Sequence, residues 1–299
     1  MLTCALAVAL AHSRPTPEFG PATTRATHWG RFVAIALENR HVHAVVVPQI
    51  GRLIAFGPRQ GPNLLWAQRE PAAGDWQNFG GDKIWVAPQS LWGWPPEPEH
   101  DGLPHVGTWD RDSITLRSGN SSKSKAVITR TFRLHGRTLI IDQTLTSRGD
   151  SAAAVGLWQI AQVPFPREIV VPFAPSDRFP KGYAVYGDTV DSGRWQRAGT
   201  SLRLTPGRTE NIKYGLAAPT GTLTAVYDRY QVTLSAPFDP QGTYPDDGKA
   251  QQIYVSHAPA YVELEVTAPL QRLTRDQSQS LRTRLSFAPL PGANRTGVR

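Results

Sequence analysis

Two glutamates two residues apart, Glu263 and Glu265 in the run Ala260-Tyr261-Val262-Glu263-Leu264-Glu265-Val266, are the first candidates for chemistry in this 299-residue chain. Side chains alternate between the faces of a strand, so Val262, Leu264 and Val266 share one face while Tyr261, Glu263 and Glu265 share the other. The carboxylates then avoid an apolar core and repel each other, which raises their pKa and suits either to act as a base. The same spacing also fits an ordinary solvated strand face.

The second candidate is Gly80-Gly81-Asp82-Lys83-Ile84-Trp85-Val86-Ala87-Pro88-Gln89, followed closely by Trp92 and Trp94. Trp85, Trp92 and Trp94 offer flat rings that can stack on the C–H faces of a pyranose, while Asp82, Lys83 and Gln89 supply hydrogen bonds. The combination suits a saccharide ligand. Five of the nine tryptophans fall within residues 76–109, which read as a long loop. Loops of that length are usually functional or disordered, and the tryptophans argue against disorder. Alternatively, the rings plug one end of the fold. A third stretch, Thr243-Tyr244-Pro245-Asp246-Asp247-Gly248, has the composition of a turn. His41 and His43 would share a strand face without a third ligand, so no metal is expected. A nucleophile elbow and a phosphate-cradling glycine loop are both missing, and no cofactor is expected.

The elements that must position these residues are strands. Runs rich in β-branched and aromatic residues recur at 31–37, 42–47, 52–56, 126–134, 138–146, 153–163, 168–171, 222–227, 231–235, 251–256, 261–267 and 280–287. His135-Gly136 marks a tight hairpin turn between two of them. Past the first dozen residues there is no convincing 3.6-residue apolar repeat, so the chain reads as all-β. More than ten strands in one flat sheet would expose an apolar face, which favours a large antiparallel sandwich. A net charge of +8 and a pI near 9.9 would suit an anionic partner. The arginines are scattered singly, however, and no basic run interleaved with aromatics points to nucleic acid.

The single cysteine, Cys4, excludes an internal disulfide. It sits in an uncharged apolar run, residues 2–11, of the length of a signal-peptide core and too short to span a bilayer. The expected organisation is a signal peptide and flexible linker over 1–27, one β domain over 28–290 and a frayed tail over 291–299. Export to the periplasm or beyond follows from the leader; without it the location would be cytoplasmic.

The motifs together resemble the galactose mutarotase-like superfamily, and within it an uncharacterised bacterial domain family. The resemblance rests on Val47-Pro48-Gln49-Ile50-Gly51-Arg52-Leu53-Ile54, Asn63-Leu64-Leu65-Trp66, the Gly80–Gln89 run and Trp94-Pro95-Pro96. It continues through Leu157-Trp158-Gln159-Ile160-Ala161-Gln162, Lys213-Tyr214-Gly215, Tyr244-Pro245-Asp246 and the glutamate strand. It implies a β-supersandwich that handles sugars on the concave face of one sheet. In the epimerases of the superfamily a late-strand glutamate is the base, and Glu265 matches that position. The histidine expected as acid is missing from the Trp158 strand, which leaves His105, Lys83 or Lys213 as substitutes. The lysines could instead clamp an acidic sugar.

Three functional readings stay open. The first is a saccharide-binding protein whose ligand meets Asp82, Lys83, Trp85, Gln89, Trp94, Trp158, Gln159, Lys213, Tyr244, Asp246 and Glu263. The second is an aldose 1-epimerase-like enzyme with Glu265 as base and His105 as acid. The third is a non-catalytic envelope interaction protein.

Overall fold

The computed structural model of the protein describes residues 21–149, 153–186, 190–191, 193–209 and 211–291. The expected leader and residues 292–299 of the expected tail lie outside the described residues. In chain order the strands begin with β1 (Thr23–Trp29), β2 (Phe32–Glu38), β3 (Val42–Val47), β4 (Arg52–Pro58), β5 (Asp82–Ala87), β6 (Val106–Trp109) and β7 (Ser113–Arg117). Then come β8 (Ala126–His135), β9 (Thr138–Ser147), β10 (Ala154–Pro164), β11 (Glu168–Pro172), β12 (Ala184–Val185), β13 (Arg194–Ala198) and β14 (Ser201–Thr205). The last are β15 (Ile212–Leu216), β16 (Thr222–Val226), β17 (Tyr230–Ser235), β18 (Gln251–His257), β19 (Ala260–Thr267), β20 (Gln271–Arg272) and β21 (Ser278–Pro289).

Among the described residues these strands form two antiparallel sheets. One runs β1-β2-β3-β4-β5-β10-β19-β18-β15-β12, with β20 paired to β10; the other runs β13-β14-β11-β16-β17-β21-β9-β8-β7-β6. The sheets pack face to face over one apolar core that includes Leu37, Phe56, Ile84, Leu157, Leu264 and Ile253 from the first and Phe132, Ile141 and Leu285 from the second. The expected large β-sandwich is the observed fold.

Burial differs between the sheets. Strand β9 alternates strictly between buried and half-buried residues, as expected for a sheet with one face in water. Strand β10 is buried at nine consecutive positions, because the outer face of its sheet is covered as well. The cover comes from the tryptophan-rich segment, and it is what creates a site.

Two expectations are corrected. Residues 23–27 are not linker: they belong to β1, paired with β2 from Thr23↔Glu38 to Trp29↔Phe32. The Gly80–Gln89 run is not a recognition loop either. Asp82 to Ala87 form β5, which pairs with β10 from Gly156↔Ala87 to Ala161↔Asp82 in the middle of the sheet. The glycine pair explains how the chain enters it. Gly80 and Gly81 have φ of 80° and 76°, and a Cβ on either would collide with a backbone carbonyl, of Trp66 or of Leu53 respectively. Only glycine fits there.

Candidate functional site

Alternation along β5, β10 and β19 sorts the predicted residues into two groups. Ile84 and Val86 point into the sandwich core, whereas Lys83, Trp85 and Ala87 point to the covered outer face. On β10, Leu157 and Ala161 face the core while Trp158 and Ile160 face outward. On β19, Val262, Leu264 and Val266 are core residues, so Tyr261, Glu263 and Glu265 share the outer face as expected. The outer face is nevertheless not solvated: Glu263 is only 8% exposed and Glu265 not at all.

Asp82 and Gln159 fall on the wrong side for a ligand. Asp82 pairs with Arg130 and accepts from Gln159 Nε2 at 2.6 Å, and Gln159 Oε1 accepts from Gln143 Nε2 and from the Thr283 hydroxyl. This network is buried between the sheets. Burial pushes the Asp82 carboxyl above its ordinary pKa, against the pull of Arg130 and of Gln159. Both residues are structural, which corrects their assignment to substrate.

On the outer face lies a cleft of about 320 Å³. Trp76, Trp85, Trp94 and Trp158 form one side, Tyr254 and Tyr261 the other, and Lys213, Glu263 and Gln89 supply polar groups. The wall is fixed from behind by Asp101, whose Oδ2 accepts from Trp76 Nε1 at 2.9 Å and from Trp85 Nε1 at 2.8 Å, while Oδ1 pairs with buried Arg52. Burial raises the Asp101 carboxyl, but Arg52, Lys83 and the two indoles outweigh it and hold the pKa below the usual value. Trp85 is only 7% exposed and packs edge-on against Trp76, Trp92, Trp94 and Trp158. Trp92 is buried and donates to the Val86 carbonyl. Of the three tryptophans expected to stack on a sugar, Trp94 alone, at 60% exposure, presents an open face.

The floor holds two lysine–glutamate pairs. Lys83 Nζ lies 3.2 Å from Glu263 Oε1 and sits over the rings of Trp76 and Trp85 at 4.9 and 4.6 Å. Burial pulls the Lys83 ammonium below its ordinary pKa, and Glu263 partly restores it. Lys213 Nζ lies 3.1 Å from Glu265 Oε2 and covers the Trp158 ring at 4.6 Å. Trp158 Nε1 donates to the same Oε2 at 2.8 Å. Burial, opposed by Lys213 and reinforced by the charge of Glu263, lifts Glu265 to a pKa of about 7. Glu265 Oε1 and both amide atoms of Gln252, its cross-strand neighbour on β18, are buried without a protein partner.

The remaining predicted residues are not in the cleft. His105 packs on Gly51, its backbone N–H donates to the Pro48 carbonyl, and burial lowers its pKa to about 4. It lies against the β3–β4 turn and does not line the cleft, which removes it from the expected acid role. Tyr244 is buried in a stack on Phe238. Asp246 touches the site only indirectly, accepting from the Tyr186 hydroxyl at 3.3 Å, while Tyr186 lies beneath Lys213 at 5.4 Å.

Sequence reasoning missed Tyr254, Gln252 and Gln162. Strand alternation places Gln252 and Tyr254 opposite Glu265 and Glu263 in the β18–β19 hairpin. Gln162, opposite Glu263 on β10, donates to its Oε1 at 2.8 Å. Extending the alternation from the glutamates to their cross-strand partners would have found all three.

Comparison with protein families finds no matching family model, and no curated protein matches either. Solved structures do match. A galactose mutarotase-like protein from Lactobacillus casei superposes with a TM-score of 0.59 at 13% identity, covering 85% of this chain and 100% of that one. A galactose 1-epimerase from Lactobacillus acidophilus gives 0.57 at 10% identity, over 90% and 99% of the two chains. A galactose mutarotase related enzyme from the same species gives 0.52 at 12% identity, over 85% and 97%. The chain therefore has the galactose mutarotase-like fold.

Proposed function

We propose that this protein recognises a saccharide in the tryptophan cleft and does so without turning it over. The observation that carries this reading is the pairing of one open indole, Trp94, with a floor whose cations are already neutralised. A neutral pyranose can lay its C–H face on Trp94 and direct hydroxyls to Glu263, Gln89 and the tyrosines. An acidic sugar would find Lys83 committed to Glu263 and Lys213 to Glu265. Glu265, the residue at the position of the epimerase base, has no exposed surface, and its Oε2 is already held by Lys213 and Trp158. A base must reach the hydroxyl it deprotonates. The uncharacterised bacterial family resembled by the sequence, and export by the apolar leader, belong to the same proposal.

A glycan array is the direct test. Neutral glycans should give signals that Trp94→Ala lowers about ten-fold or more, the scale set by losing a stacked aromatic anchor. A blank array for the wild type removes the proposal. The pKa of Glu265 near 7 favours a second reading, an aldose 1-epimerase-like enzyme with Glu265 as base. Exchange NMR of aldose anomers decides it: catalysed interconversion that Glu265→Gln abolishes would replace binding with turnover.

A further inference from the structure

Trp76, on one side of the tryptophan cleft, also lines a second cavity of about 260 Å³, walled by residues 74–79 and 95–103. The chain passes from one cavity to the other across a single peptide, since Trp94 lines the cleft and Pro95 and Pro96 line the second cavity. The Trp76 and Trp94 rings meet edge-on at 5.2 Å, so the two cavities adjoin along one aromatic ridge. At about 320 Å³ the cleft stands at the lower end of the range for ligand sites, about 300–1,000 Å³. The second cavity gives a ligand room to continue.

Both walls of that cavity are fixed from behind. In the 95–103 wall, buried Glu97 accepts from the Ser121 hydroxyl and from the Ser124 N–H at 2.8 Å, and its other oxygen lies 3.2 Å from His100 Nδ1. Opposite, Trp76 is held by Asp101, and Phe79 packs edge-on against Trp29 and Phe32. A ligand would therefore meet a formed surface and would not have to order it, which lowers the cost of binding.

The lining has the chemistry of the cleft without its committed floor. Leu103 is 48% exposed and, with Pro95 and Pro96, gives an apolar surface for sugar C–H groups. Asp75 and Gln77 also line the cavity, and among the described residues neither the Asp75 carboxylate nor the Gln77 amide has a protein partner. A carboxylate accepts from hydroxyls and an amide both donates and accepts, the combination that hydroxyl-bearing sugars need. Lysine, arginine and histidine are all missing from the lining, whereas Asp75 and Asp101 are part of it. A uronate or phosphorylated unit would meet only negative charge there.

We propose that the recognition site spans both cavities and that its ligand is a neutral oligosaccharide of at least two units, one on Trp94 in the cleft and the next against Leu103 with its hydroxyls on Asp75 and Gln77. The inference rests on the saccharide reading of the cleft and adds the length and charge of the ligand.

The test is an array of neutral glucose, galactose, mannose and xylose glycans of one to four units, with galacturonate oligomers for comparison, followed by titration of the best-bound disaccharide and its monosaccharide. The disaccharide should bind about ten-fold or more tighter than the monosaccharide, the scale of two added hydrogen bonds. The double variant Asp75→Ala with Gln77→Ala, which breaks no contact within the described residues, should remove that advantage and leave the monosaccharide within about two-fold. Leu103→Ala should act in the same direction, whereas Trp94→Ala should weaken both ligands. Single sugars that bind as tightly as longer chains would overturn the extension and keep the cleft. Equal losses for both ligands in the double variant, or no loss for either, would also overturn it, and tighter binding of galacturonate oligomers would refute the neutral assignment. A wild type that binds no neutral glycan of any length removes the cleft reading itself.

Discussion

In the cleft each lysine meets a carboxylate, Lys83 on Glu263 and Lys213 on Glu265; beside the β2–β3 turn, by contrast, Arg59 and Arg25 share the one carboxylate of Glu38. The difference follows from water. Lys83 and Glu265 are buried, where an unpaired charge costs several kcal/mol, so the fold can hold them only as pairs. Arg59 keeps 45% of its side chain in solvent, where like charges are screened and pairing is optional. The cleft therefore commits its cations to structure and selects by shape and hydroxyl contacts, whereas the Arg59 pair remains open to solvent. Burial decides whether a cation must be paired.

Breaking a cleft pair should have the largest effect. Lys83→Met keeps the stem that packs between Trp76 and Trp85 but leaves Glu263 with only the Gln162 amide. Removing one partner of a buried pair is strongly destabilising, so urea denaturation should register a loss of about 3 kcal/mol. The double variant Lys83→Met with Glu263→Gln should recover most of it, because no charge is then stranded. A single variant as stable as wild type would show that the cleft pairs do not constrain the fold.

Much of this arrangement can be read from the sequence, and the failures share a cause. The alternation around Glu263 and Glu265 correctly separated core from outer face, because β19 is extended throughout. What alternation could not tell is whether the outer face is wet. The cover depends on where residues 76–105 fold back, and that is fixed by contacts such as Asp101 with Trp76 and Trp85, 25 and 16 positions away. Strand β5 lies inside the tryptophan-rich stretch over residues 76–109 whose composition reads as loop, although its glycine pair only serves its entry into the sheet. Composition groups Asp82 and Lys83 as hydrogen-bonding residues of one site, yet neighbours in a strand fall on opposite faces. His105 is a candidate acid on its chemistry alone, and its packing on Gly51 has no signature in composition.

Glu265 sharpens the comparison through pH. Its pKa near 7 in the folded protein exceeds the ordinary value of 4.5, so the fold favours the protonated carboxyl. The stabilisation is present below about pH 4.5 and is lost as pH rises through 7, by up to about 3 kcal/mol for such a shift. His105, lowered from 6.5 to about 4, acts in the opposite sense: its contribution is present above 6.5 and lost as pH falls toward 4. The raw stability curve mixes the two, but the difference between wild type and Glu265→Gln isolates the carboxyl. Denaturation at pH 5 and at pH 8 should find Glu265→Gln gaining on wild type by about 2–3 kcal/mol between them. A flat difference would mean that Glu265 is ionised at both pH values and that Lys213 fully compensates its burial.

The smallest effect is expected where charge is exposed, at Arg137. Its side chain stands on the β8–β9 turn beside His41 and makes no ion pair among the described residues, so Arg137→Met removes repulsion from Arg40 and breaks no salt bridge. Stability should change by less than about 0.5 kcal/mol, and any change at low ionic strength should be a gain. That gain should vanish near 1 M salt, where the Debye length falls to about 3 Å. Lys213→Met at pH 8 offers the contrast, since above its pKa the buried Glu265 carboxylate is then stranded, and the loss should persist at every salt concentration. If Arg137→Met instead costs stability to the same degree as Lys213→Met, this exposed cation is held by the fold as tightly as those of the cleft. Charge at that end would then be structural, and the distinction between the two regions would collapse.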